Sequence, residues 1–81
     1  MSDKEIVMYT ADWCVYCASL KQMLDSFNVI YTEKDVDKPG IREEMNSKTD
    51  NNQTIPVLFI GDKYWVNPSI TVLKEQLKIS N

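Results

Sequence analysis

The chain has 81 residues, with 9 Lys plus Arg against 12 Asp plus Glu, 2 Cys and no His. That length lets roughly 60 to 65% of the unfolded chain's surface be buried, enough for one modest core, so a single domain over 1–81 is expected. An apolar fraction of 43% and a charged fraction of 26% exclude a disordered chain, and a net charge of −3 without a basic stripe speaks against a nucleic-acid partner.

Glu5 to Thr10 is β-rich and mostly apolar, which predicts a short buried strand. From Cys14 the apolar residues Cys17, Leu20, Leu24 and Phe27 recur with helical spacing, so a helix with one buried stripe follows and ends near Asn28. Val29 to Asp35 reads as a second strand, making a parallel βαβ unit. Asp37 is expected to cap a short helix with Pro39 in its first turn, burying Ile41 and Met45 while Arg42, Glu43 and Glu44 face water. Asn46 to Thr54 reads as a polar loop without an apolar anchor. Pro56 to Ile60, Gly61-Asp62 and Lys63 to Val66 form a hairpin with a two-residue turn. Asn67 as N-cap and Pro68 at the first helical position open a last helix striped by Ile70, Leu73 and Leu77. The order is β-α-β-α-β-β-α, an α/β chain without repeats.

The absence of His removes imidazole catalysis and His metal ligands together, leaving chemistry to Cys, carboxylates, Tyr or Lys. No apolar run approaches the roughly 20 residues of a membrane span, and the first residues are polar, so a soluble, cytoplasmic monomer is expected, with no membrane partner. Two cysteines are too few for the framework of a small secreted domain, and bridging Cys14 to Cys17 closes a loop too short to stabilise much. A structural disulfide would be nearly pointless.

Cys14-Val15-Tyr16-Cys17 falls where a strand gives way to a helix. Cys14 should occupy the first turn, where unpaired backbone N–H groups stabilise a thiolate, and helical spacing puts Cys17 at about 5 to 6 Å between Cα atoms, within disulfide range. Lowering a thiol's pKa gains thiolate but loses intrinsic nucleophilicity in nearly equal measure, so what improves is departure from a mixed disulfide. Cys14 is thus expected to attack first and leave later, with Cys17 as resolver or spectator.

Blander readings stand beside these. The cysteines could be two small buried hydrophobes. Two Cys and no His supply half a tetrahedral set, so no metal site is expected within one chain. Trp13 and Tyr16 divide evenly between rim and core, Pro56 could simply begin a strand, and Asn67-Pro68-Ser69 could be only a helix cap.

The element order, Cys14-Val15-Tyr16-Cys17, Thr54-Ile55-Pro56 and the closing helix together resemble the glutaredoxin branch of the thioredoxin-like fold, over essentially the whole chain. Within it, Trp13 to Cys17, Gln53-Thr54-Ile55-Pro56 and especially Asn67-Pro68-Ser69 look most like mycoredoxins, which work with mycothiol in place of glutathione. The resemblance implies a four-stranded mixed sheet in order 2-1-3-4 flanked by helices. It implies a cis Pro56 beside the attacking sulfur, Ile55 offering backbone N–H and C=O to the peptide part of the bound thiol, and Gln53 contacting that ligand. The Asn67-Pro68-Ser69 helix start would meet a polar or anionic end of the thiol. Glutathione-using relatives usually carry Lys where this chain has Ala11, an acidic or Gly-Gly pair where it has Asn67-Pro68, and Pro where it has Val15.

The function these residues imply is reduction of protein mixed disulfides or disulfides at Cys14 and Cys17, with Trp13, Val15, Tyr16, Gln53, Thr54, Ile55, Pro56, Asn67, Pro68 and Ser69 binding substrate. No tightly bound cofactor is expected; mycothiol or glutathione serves as co-substrate. Partners would be disulfide-containing proteins and, as a further possibility, a flavoprotein disulfide reductase. Two alternatives remain open: a thioredoxin-reductase-fed redoxin of the kind that serves ribonucleotide reductase, and a carrier of a [2Fe–2S] cluster held between two chains.

Overall fold

The computed structural model describes residues 5–78. In chain order it contains β1 (Ile6–Thr10), α1 (Val15–Ser26), β2 (Thr32–Asp35), α2 (Ile41–Lys48), β3 (Val57–Ile60), β4 (Lys63–Val66) and α3 (Ile70–Gln76). The four strands form one sheet in the order β2-β1-β3-β4, with β1 parallel to β2 and the other pairs antiparallel. This is the mixed sheet of a thioredoxin-like, glutaredoxin-type α/β fold. No helix among the described residues is long and apolar enough to cross a membrane.

The core joins Met8 and Tyr9 of β1, the whole of β3, Cys17, Leu20 and Leu24 of α1, Met45 of α2 and Leu73 of α3. β3 is buried at every position: it has a strand on each side, and its side chains share the core with residues of all three helices. Side chains alternate along a strand. Tyr9 therefore takes one face with Phe59 and Tyr64, with ring centroids 5.8 Å apart for Tyr9–Phe59 and 5.3 Å for Phe59–Tyr64, and meets α2 there through Glu44. Met8 and Thr10 take the other face.

α1 ends as its composition suggests. Asn28 takes a left-handed φ of 58°, and the N–H groups of Asn28 and Val29 bond back to the Asp25 and Leu24 carbonyls, the double bond of a Schellman end. The second strand is shorter than expected, starting at Thr32 instead of Val29. Val29 continues the turn off the helix, and Ile30 points into water.

Three further expectations are corrected. Asp37 does not cap α2. Gly40 stands at the N-cap with φ 82°, Pro39 lies before the helix, and the Asp37 carboxylate turns instead to Trp13 and Arg42. Glu44 is only half-exposed: it takes a 2.5 Å bond from the Tyr9 hydroxyl and a 2.6 Å bond from Lys34, whose Cα is opposite Tyr9 in the sheet. The segment from Asn46 is not all loop, since α2 runs to Lys48, and buried Thr49 anchors the turn after the helix by donating to the Met45 carbonyl at 2.7 Å.

Candidate thiol site

α1 begins at Val15, with Cys14 as its N-cap in extended conformation, one position earlier than a first-turn residue. The Cys14 amide is tied to the Ala11 carbonyl at 3.2 Å, closing the turn off β1. Its Sγ accepts a hydrogen bond from the Cys17 backbone N–H at 3.1 Å. Sulfur thus does the work that a Ser or Asp oxygen does at an ordinary helix start, drawing on one of the unpaired amides of the first turn. Both cysteines are free thiols.

The two sulfurs differ in access. Cys14 keeps 8% of its surface exposed and Cys17 none. Burial first, and the hydrogen bond with Cys14 second, push the Cys17 thiol above its ordinary pKa. Around the pair stand Trp13, Val15 and Tyr16, exposed by 65, 76 and 65%, so these residues form a rim and no part of the core. The Trp13 indole N–H donates to Asp37 Oδ2 at 2.7 Å.

Register brings the other expected residues to this end of the sheet. The β1–β3 ladder ends where Tyr9 pairs with Val57, so Pro56 directly precedes the last pair on β3 as Thr10 follows it on β1. The Ile55–Pro56 peptide is cis. On the other side of β3, the Asn67 N–H donates to the Pro56 carbonyl at 2.8 Å, extending the β3–β4 ladder past Val66. Pro56 and Pro68 are buried and Ile55 is half-buried, while Gln53, Thr54, Asn67 and Ser69 are exposed.

The start of α3 differs from expectation. Asn67 is not its N-cap but sits at a left-handed φ of 48°, and Pro68 precedes the helix. Ser69 is the cap, and its hydroxyl accepts from the Val72 N–H at 3.3 Å. The helix therefore uses its own serine to satisfy that amide. Ile70 also leaves the predicted stripe and is exposed, while Leu73 is fully buried.

Sequence reasoning does not find two partners at this end. Asp37 is 24 residues from Trp13, and no local pattern announces their bond. Thr10 does carry a faint signal, a polar residue closing an apolar strand just before the cysteine pair. It is buried against α1.

Residues 6–65 match the glutaredoxin family model. The chain belongs to the glutaredoxin family. A glutaredoxin of Pseudomonas aeruginosa is 37% identical over 60 residues, covering 73% of this chain and 70% of the relative. A Mycobacterium tuberculosis protein provisionally named a glutaredoxin is 32% identical over 74 residues, covering 89% of this chain and 88% of the relative. The crystal structure of a glutaredoxin from Archaeoglobus fulgidus superposes with a TM-score of 0.80 at 23% identity, over 95% of this chain and 89% of that one, and shares its fold. Glutaredoxins are thiol–disulfide oxidoreductases, and this family membership gives the chain that class of activity.

Among the described residues of this glutaredoxin, no group of three or more His, Cys, Asp or Glu side chains is placed to hold a metal ion. What the site does present is one cysteine with a little exposed surface, one with none, and the exposed residues Gln53 and Thr54 shortly before Pro56.

Proposed function

We propose that Cys14 is the attacking sulfur and Cys17 the resolving one, and that the protein reduces mixed disulfides and disulfides of proteins with a low-molecular-weight thiol as co-reductant. The observation that carries this reading is the asymmetry of the pair. Cys14 keeps a little exposed surface and receives an N–H bond on sulfur, whereas Cys17 has no exposed surface. A thiolate, not a thiol, is the nucleophile, and a bonded sulfur at a helix start is the better candidate.

In the first step the Cys14 thiolate attacks one sulfur of a substrate disulfide. That S–S bond breaks, a new one forms to Cys14, and the departing thiolate takes a proton from water. A small thiol then attacks the substrate-derived mixed disulfide at Cys14, or Cys17 does so from within the chain. In either case the incoming sulfur is oxidised as the leaving one is reduced. Trp13, Val15 and Tyr16 offer an apolar border for the substrate, and the exposed Gln53, Thr54 and half-buried Ile55 offer edge backbone to a cysteine-bearing peptide. Asn67, Pro68 and Ser69 border the opposite side.

For the small thiol, we favour a mycothiol-type sugar thiol over glutathione. Ala11 is buried and places no cation before the first cysteine, where glutathione's carboxylate would call for one. The test is the Cys17→Ser protein, which keeps one cysteine, oxidised in extracts of mycothiol-containing and of glutathione-containing cells and weighed by mass spectrometry. An adduct of sugar-thiol mass on Cys14, preferred over the glutathione adduct when both thiols compete, is expected. A Cys14 that stays unmodified in both extracts overturns the site assignment, and a preference for glutathione overturns the thiol assignment alone.

A further inference from the structure

Asp12 stands two residues before Cys14 and is exposed. The Cys14 N–H donates to the Ala11 carbonyl at 3.2 Å, so Ala11 to Cys14 is a tight turn with Asp12 and Trp13 at its corner. Consecutive Cα atoms are about 3.8 Å apart, so two steps and two short side chains hold the Asp12 carboxylate within roughly 10 Å of the Cys14 sulfur. An Asp in a turn commonly bonds backbone two residues on. This one does not: among the described residues its carboxylate has neither a hydrogen bond nor an ion pair.

The surroundings leave that charge unanswered. Segments 10–20, 51–61 and 64–73, which bring together the cysteines, the cis proline and the start of α3, contain one charged residue, Asp12. Asp37 enters the rim from the loop after β2, and its carboxylate is matched by Arg42 at 3.3 Å. Lys38, next in that loop, is exposed and forms no ion pair with Asp12. The three segments therefore carry a net negative charge, and Asp12 is its source.

We propose that Asp12 is a specificity-determining residue, an unpaired carboxylate that sorts the thiols and disulfides reaching Cys14 by charge, disfavouring anionic partners and favouring uncharged or cationic ones. This rests on Cys14 as the attacking sulfur. Screening in water has a length of about 10 Å at 0.1 M salt, so the field of Asp12 reaches a partner docked on that sulfur. Glutathione brings two carboxylates and one amine, whereas a sugar thiol without carboxylates brings no charge. The preference proposed for the small thiol thus gains a second cause, independent of the cation missing at Ala11. Among protein disulfides, a cysteine flanked by Lys or Arg is favoured over one flanked by Asp or Glu.

Three small disulfides that differ in charge test this: cationic cystamine, neutral hydroxyethyl disulfide and anionic dithiodipropionate. In the Cys17→Ser protein the Cys14 thiolate attacks one sulfur of the probe, whose S–S bond breaks. Half of the probe stays on Cys14 and half leaves as a thiolate, and mass spectrometry follows the adduct with time. Adding Asp12→Asn and taking the ratio of the two rates cancels each probe's own reactivity. Any change in the sulfur itself moves all three ratios by one factor, so their spread is the readout. At low salt Asp12→Asn should slow attack on cystamine about threefold and speed attack on dithiodipropionate about threefold, each relative to the neutral probe. Asp12→Lys should widen both effects, Asp12→Glu should keep the native order, and about 0.5 M salt should shrink the spread.

Equal ratios for the three probes, or a spread that salt leaves intact, overturn the proposal while leaving Cys14 as the attacking sulfur. Loss of the native order in Asp12→Glu does the same. A Cys14 that takes none of the probes removes the attacking sulfur and Asp12's role together.

Discussion

The indole N–H of Trp13 donates to the carboxylate of Asp37 at 2.7 Å, joining the residue before the first cysteine to the loop after β2. The second oxygen of the same carboxylate accepts from Arg42 at 3.3 Å, so a residue of α2 is tied into the rim. Trp13 is well exposed, and this bond is what gives its ring a fixed direction.

Removing the acceptor should therefore loosen the rim more than the fold. Asp37→Ala is expected to cost about 0.5 to 1.5 kcal/mol in chemical denaturation, the net value of a part-exposed hydrogen bond with a weak ion pair beside it. Measured with Trp65→Phe to silence the second indole, Trp13 emission should shift to the red and its anisotropy should fall. Unchanged anisotropy would mean that packing alone fixes the ring.

Legibility in the sequence depends on where each instruction resides. The strand before Cys14, the helix stripe and the Gly61-Asp62 hairpin are local patterns, and each forms as its periodicity requires. The three displaced helix starts share one cause: at Cys14, Asp37 and Asn67 the sequence shows only what each side chain can do locally. Tertiary partners decide otherwise for two of them, since Asp37 is drawn to Trp13 and the Asn67 backbone is drawn to Pro56. Glu44 reads as solvent-facing in a charged run, and only the sheet register that brings Lys34 beside Tyr9 explains why it turns to that pair. The cysteine pair is legible because Cys14 and Cys17 depend on nothing more distant than one helix turn.

Glu44 makes a prediction about acid. Its bond from Lys34 and then its bond from Tyr9 hold its carboxyl below the usual value. A carboxylate lowered in the folded state adds stability that is complete above the unfolded value of about 4.3 and is lost as pH falls through the lower folded one. Glu44→Gln should thus cost about 1 kcal/mol at neutral pH, already discounted for partial exposure, and the gap to the native protein should close in acid. Denaturation curves taken across that range decide it. A gap constant with pH would assign the loss to shape and not to charge.

Gly40 allows strain to be separated from crowding. Its φ of 82° is a left-handed conformation, yet a Cβ placed there would meet nothing within 4 Å. Gly40→Ala should lose about 1 to 2 kcal/mol from the backbone alone, and Gly40→Asn less, because Asn tolerates that region better. Equal losses in the two variants would contradict a conformational origin.

The burial difference between the sulfurs predicts an order of labelling. Brief treatment of the reduced native protein with iodoacetamide near neutral pH should modify Cys14 and leave Cys17 untouched, since Cys17 has no exposed surface and its thiol is pushed up first by burial and then by its bond with Cys14. Peptide mapping reads the two sites separately, and Cys17 should take label only after denaturant is added. The same asymmetry sets what substitution does to exchange. Cys14→Ser should abolish reduction of mixed disulfides, because the remaining sulfur cannot reach a substrate, whereas Cys17→Ser should retain it with a small thiol present. Matching label on both cysteines in the folded protein, or exchange surviving in Cys14→Ser, would show that access does not divide the roles, and the order of attack proposed for the pair would have to be abandoned.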